Sequence, residues 1–172
     1  MGLADDGMVG WDLITDRTNT DLANIYGNLV SRTIAMSNKY FGGVVKNGGV
    51  KTEVDDSLIE VVTGAYDKVC KKMDDLKIAD ALSEIFAVFK RANKYIDETE
   101  PWKLAKDESQ KARLETVLYN LTETIIIGTS MLSAFMPETC KKVLANLNVE
   151  ARDFSKLNKF GLLKETKVAE KV

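Results

Sequence analysis

The stretch "TIIIGTSMLSAFM", residues 124–136, decides the fold. Its opening "TIIIG" is β-branched and, taken alone, favours a strand. The apolar period around it and the length of the run favour a helix instead, because strands are short and helices run to ten residues or more. Read as the second half of a helix from about Glu108 to Phe135, it makes the chain all-helical.

Outward from that segment the helical period persists. A first helix is predicted from about Thr18 to Tyr40, stopping at "FGGVV", where Gly42 and Gly43 supply a left-handed exit. "KNGGVKTEVD" reads as a loop, or at most a small ribbon, since its flanks are short. Ser57 and Glu60 form an S-x-x-E capping box that opens a second helix through about Met73. Its core stripe is Ile59, Val62, Ala65, Tyr66, Val69 and Met73. A third helix starts near Leu76 and runs to "YIDETEP", where Pro101 forces an end. Pro137, at a first-turn position, begins a fifth helix through about Leu147. The expectation is an antiparallel bundle of about five helices over residues 16–149, with a lead-in over 1–15 and an irregular, partly loose tail over 150–172.

Composition excludes several classes of chemistry. A chain of 172 residues, 45% hydrophobic and 29% charged, suits one soluble domain with its own core. The net charge of −2 argues against a generic nucleic-acid binder, whose affinity rests on many neutralised phosphates. A local site that reads bases through a few contacts is not excluded, and Asp21 to Lys51 is a net-positive segment, with Asp21 against Arg32, Lys39, Lys46 and Lys51. There is no histidine, so no Ser-His-Asp or Cys-His nucleophile system exists. Cys70 and Cys140 have no paired spacing and are expected to be buried, reduced thiols rather than zinc ligands. No apolar run approaches the roughly 20 residues of a membrane span, and "MGLADDGMVGW" is too acidic for a signal peptide. Asp6 weakens a myristoylation reading of Gly2, and a cytoplasmic location is expected.

Two features are not explained by packing. In "DLANIYGNLVSRT", residues 21–33, Asn24, Asn28 and Arg32 recur every fourth position on an otherwise apolar helix. A step of four drifts by only about 40° on an α-helix, so the three project from adjacent turns. They form either a solvated polar face or a set of amides and a guanidinium able to pair with base edges. In "NKYIDETEPWKL", residues 93–104, Trp102 follows Pro101 just past a helix end and is expected to project from a loop. It either folds back over the end of the bundle or offers an aromatic shelf for an unstacked base.

Taken together these segments resemble something specific. "DLANIYGNLVSRTIAMSNKYF" and "ANKYIDETEPWKLAKDE" look like two hallmark segments of the anticodon-binding domain of methionyl-tRNA synthetases, and "FMPETCKKVLANL" is similar to the helix start that follows them. The resemblance runs from about Asp16 to Leu147. It implies recognition of the CAU anticodon of methionine tRNAs, with Asn24, Asn28 and Arg32 facing the bases, Trp102 stacking on one and Pro101 shaping its loop. Asn93 and Tyr95 also match and are expected to support that helix end.

The resemblance further implies a parent ligase that joins methionine to tRNA using ATP and magnesium, through HIGH and KMSKS signatures. Neither signature occurs in this sequence, and without histidine the first cannot. The chain is therefore expected to need no cofactor, to be inactive in aminoacylation, and to be a C-terminal part of such an enzyme, whose catalytic domain would be its partner in the full length. A monomer is expected, since no oligonucleotide-fold domain follows Val172. Two rivals stand beside this reading. One is the anticodon domain of a related class I synthetase, for cysteine, isoleucine, leucine or valine. The other is an orphan helical bundle whose Trp102 and Arg32 bind a protein.

Overall fold

A computed structural model describes residues 19–170; the expected helix start at Thr18 and the 1–15 lead-in lie outside them. The chain is helical from residue 19 to 41, as the apolar period requires, but not uniformly. Leu22–Gly27 winds as a π-helix before α1, Asn28–Phe41, takes over. The constant step of four assumed for Asn24, Asn28 and Arg32 is thus broken between the first two. A π-turn closes hydrogen bonds from residue i to i+5, so four residues fall short of one π-turn but exceed one α-turn. Gly42 closes α1 at φ 62° as expected.

The helices that follow are α2, Glu53–Asp74, and α3, Ile78–Thr99. After them come the single-turn α4, Pro101–Leu104, then α5, Lys111–Leu132, and α6, Pro137–Leu147. The short link over residues 75–77 returns α3 along α2, and α3 packs on α5, as does α6. α2 opens earlier than the Ser57–Glu60 box implied. Its box is Thr52 with Asp55, whose Oδ2 accepts from the Thr52 backbone N–H at 3.1 Å. The sequence signal T-x-x-D was present but lay one turn upstream of S-x-x-E.

The segment that decided the fold proves to be the centre of the molecule. Every residue from Thr116 to Leu132 is buried, so this stretch of α5 has no solvent face and needs no amphipathic pattern. Several of its hydroxyl side chains are satisfied inside the helix, while Thr129 pairs with the Tyr26 hydroxyl. Thr122, Thr124 and Ser130 each donate to the carbonyl four residues back, at 2.7–2.8 Å. Gly128 is required by proximity to α3, because a Cβ there would lie 2.4 Å from the Phe89 ring.

The loop expected in "KNGGVKTEVD" runs from residue 47 to 52, and a short ribbon forms just before it, with a remote partner. β1, Val44–Lys46, pairs antiparallel with β2, Glu165–Lys167, in the register Val45 opposite Thr166. The tail is accordingly packed rather than loose, with Leu157 and Val168 buried. Its anchor is Glu123, a fully buried carboxylate on α5. Arg152 donates to it twice, at 2.6 and 2.8 Å, and the Gly161 and Leu163 amides donate at 3.2 and 2.6 Å. The Tyr119 hydroxyl donates to the Leu163 carbonyl at 2.6 Å, and burial pushes that phenol up to about 12.

Candidate nucleic-acid interface

The polar line stands on the surface at one end of the bundle. Asn24, Asn28 and Arg32 are all exposed. The Asn28 side-chain amide donates to the Asn24 carbonyl at 2.9 Å. Between them Tyr26 faces inward, 1% exposed, hydrogen-bonded to Thr129 at 2.6 Å and packed 4.5 Å from the Phe89 ring. That buried anchor fixes which way the π-turn faces. Burial, opposed by the Thr129 hydrogen bond, raises the Tyr26 phenol well above its ordinary range, so it stays neutral.

The aromatic half arrives on α3. This helix ends at Glu100, which adopts the left-handed conformation at φ 47° and turns the chain sharply. Pro101, whose fixed φ suits a first helical position, then starts α4, so Trp102 sits on one turn of helix rather than on a loop. Pro101 is buried while Trp102 is 41% exposed, so the tryptophan is partly open to solvent. Lys103 closes the turn with an ion pair to Glu100 at 2.8 Å.

α3 also connects the two halves. Asn93 donates from its side chain to the Ile25 carbonyl in the π-turn at 3.2 Å. One turn later Asp97 approaches Arg32 to 3.9 Å. Five residues beyond Asp97 comes Trp102. Among the described residues no hydrogen bond or ring contact joins Trp102 directly to Asn24, Asn28 or Arg32, and the link between them runs through α3.

That end of α3 is held by a buried network the sequence reading did not anticipate. Arg113 on α5 grips the fully buried Asp55 with both guanidinium nitrogens, at 2.6 and 2.9 Å. The Tyr95 hydroxyl donates to Asp55 Oδ1 at 2.5 Å and accepts from Asn120 at 3.1 Å. Arg113 also reaches the Val50 carbonyl and the Thr52 hydroxyl, at 2.9 and 3.0 Å. Burial works to raise the Asp55 carboxyl, but hydrogen bonds from Arg113, Tyr95 and Thr52 outweigh it and hold the group below the usual carboxylate range. Tyr95 thus supports the helix from inside. The only sequence cue for the network was the paired acid Asp55–Asp56, which reads equally well as a solvated helix start.

Beside α4 a cavity of about 260 Å³ is lined by Lys39, Tyr40, Leu104, Asp107, Glu108 and Lys111. Its two cations are offset by its two acids, so it has no built preference for an anion. Among the described residues no cluster of acids and cysteines could hold a metal ion, and both cysteines are free, Cys140 buried and Cys70 half-buried. Neither of the class I signatures, HIGH and KMSKS, occurs in the sequence. No helix among the described residues is long and apolar enough to cross a membrane.

The architecture is that of a synthetase helical bundle. A crystal structure of Mycobacterium tuberculosis methionyl-tRNA synthetase bound by methionyl-adenylate superposes with a TM-score of 0.83 at 32% identity, covering 94% of this chain and 32% of that one. The chain belongs to the family of the anticodon binding domain of methionyl tRNA ligase, whose model matches residues 45–169. Methionine–tRNA ligase of Clostridium perfringens is 48% identical over 155 residues, 90% of this chain and 24% of the relative. That of Bacillus subtilis is 38% identical over 167 residues, 95% of this chain and 25% of the relative. The chain thus spans about a quarter of the length of these curated relatives. The family match includes Pro101 and Trp102, and it begins after Asn24, Asn28 and Arg32.

Proposed function

We propose that this domain reads the CAU anticodon of methionine tRNAs, with Asn24, Asn28 and Arg32 as the base-pairing edge and Trp102 as the stacking surface. Pro101 fixes the angle of the indole. The observation that carries the reading is the approach of Arg32 to Asp97 at 3.9 Å, five residues before a tryptophan that is 41% exposed. It brings a guanidinium on α1 to the end of the helix that leads into the aromatic turn. Single-stranded loops are read by this combination of aromatic stacking and polar contact to base edges. In the full-length protein the domain would select tRNA for an ATP-dependent methionine ligase acting in the cytoplasm, the catalytic step lying with residues outside this sequence.

The chemistry of discrimination follows from solvent loss. Amides and a guanidinium that pair with cytosine and adenine edges are left unpaired by the wrong base, at about 1–3 kcal/mol for each group. Stacking on Trp102 adds affinity but tolerates any base. The test is a titration of a CAU stem-loop and its single-base variants against the chain at fixed salt. Tighter binding of the CAU loop is expected, and equal binding to all loops would remove the reading and favour a protein-binding surface.

A further inference from the structure

The π-turn at Leu22–Gly27 has identifiable causes, and they converge on Asn93. Three contacts fix it. Tyr26 is locked inward against Phe89 and Thr129. The Asn28 side chain occupies the Asn24 carbonyl at 2.9 Å. Asn93, on another helix and 68 positions away, donates to the Ile25 carbonyl at 3.2 Å. Gly27 admits the winding, because a Cβ there would lie 3.1 Å from the Leu22 carbonyl oxygen.

Asn93 is not placed there as an ordinary core amide. Its Oδ1 is enclosed and has no hydrogen-bond partner among the described residues, which costs free energy that an apolar side chain of similar size would avoid. What the residue supplies is its N–H to a backbone carbonyl of the π-turn. The consequence falls on Asn24. Because four residues fall short of a π-turn but overshoot an α-turn, the winding places Asn24 on the opposite side of Asn28 from where an α-helix would put it. Arg32, four residues into regular helix from Asn28, is unaffected.

We propose that Asn93 is a positioning residue for base discrimination: by holding the Ile25 carbonyl it maintains the π-turn that aims Asn24, and so sets which base edge Asn24 can pair with. The inference rests on the anticodon-reading function proposed above and adds to it a residue that touches no base. It also makes α3 the common support of the site, through Asn93 to the π-turn, Asp97 to Arg32, and Trp102 beyond its end.

The experiment is a double-variant cycle on the 172-residue chain, using the CAU stem-loop and loops changed at each anticodon position. Asn24→Ala is expected to lose on the order of tenfold discrimination at one base position. Asn93→Ala is expected to lose it at the same position, and the double variant to be no worse than either single. Arg32→Ala combined with Asn93→Ala is expected to multiply. Should Asn93→Ala fold poorly, two further variants carry the test. Asn93→Asp keeps the shape and removes the donor, and Gly27→Ala disturbs the turn from within. Both should lose discrimination at that same position. Uniform weakening of every loop by Asn93→Ala, or multiplication of its effect with that of Asn24→Ala, overturns the proposal and leaves Asn93 a packing residue. A wild-type chain that binds all loops equally removes the anticodon reading and this inference with it. Discrimination that survives in the Asn93 and Gly27 variants removes only the inference.

Discussion

Arg32 and Asp97 meet at 3.9 Å across the gap between α1 and α3, their side chains 43% and 74% exposed. A pair this open contributes about 0–1 kcal/mol to folding, because water and salt screen it. Folding and recognition should therefore separate at this position. Arg32→Ala is expected to shift the melting temperature by no more than about 2–4 °C. The affinity for a CAU stem-loop should fall on the order of tenfold and its preference over variant loops should shrink. Thermal unfolding and titration in the same buffer check both halves; a large drop in melting temperature would mark Arg32 as a packing residue.

Trp102 should behave differently. Stacking is worth about 1–3 kcal/mol per base and depends little on which base is stacked. Trp102→Ala is expected to weaken the CAU loop and its single-base variants by similar factors, leaving their ratio close to that of the wild type. With 41% of the residue already exposed, the cost to stability should be small. Loss of the ratio rather than of overall affinity would mean that Trp102 reads base identity.

The Asp55–Arg113 pair gives a pH dependence whose sign can be worked out. The folded carboxyl lies below its ordinary value, while the unfolded chain's lies near ~3.9. A depressed folded value adds stability that is fully present above the unfolded value and is lost as pH falls through the folded one. Urea midpoints should hold steady, as far as this group is concerned, down to about pH 5 and drop below about pH 4. Asp55→Asn should remove this part of the acid sensitivity. At neutral pH it should cost about 3–5 kcal/mol, because Arg113 is left buried without its counter-charge. Identical acid profiles for the two proteins would contradict the assignment.

Gly128→Ala tests the close approach of α5 to α3. One added methyl would lie 2.4 Å from the Phe89 ring, and Phe89 is itself packed against Tyr26 and Phe86. Overpacking of this kind costs about 1–3 kcal/mol, outweighing the gain in helix propensity from replacing glycine, which is about 1 kcal/mol. Denaturant unfolding should show a net loss; unchanged or raised stability would mean that Phe89 can swing aside.

What could be read from the residues depended on how local the cause was. The fifth helix was legible to the residue, since Pro137 opens it and the period ends at Leu147. α5 was legible from its length and the apolar period around it, although its fully buried stretch leaves no polar stripe to read. The π-turn was not legible: its supports are Phe89, Asn93 and Thr129, far away in sequence, and "LANIYG" alone reads as α-helix. The same holds for the ribbon, whose strands are separated by more than a hundred residues. Of the proposed site, the residue types were foreseeable, the exposure of Trp102 was open between two readings, and the approach of α3 to both the π-turn and Arg32 needed the fold.

The tail gives the last expectation, because a buried ion pair is among the contacts that hold it. Arg152 and Glu123 have side chains 8% and 0% exposed, and Glu123 also accepts from the Gly161 and Leu163 amides. Removing the arginine leaves a buried carboxylate whose remaining partners are those two amides, at a cost of about 3–5 kcal/mol. The bundle does not depend on that carboxylate being shielded by the tail, since water can reach it once the tail lifts. Arg152→Ala is therefore expected to release the tail locally before the helices unfold. Amide exchange at Gly161, Leu163 and the β2 residues Glu165–Lys167 should accelerate by on the order of a hundredfold or more. Exchange across Val117–Leu132 should change far less. The β1 partner Val45 reports independently, because its pairing is with Thr166. Equal acceleration in the tail and in α5 would show that the tail and bundle unfold as one cooperative unit, and that Arg152 contributes to global rather than local stability.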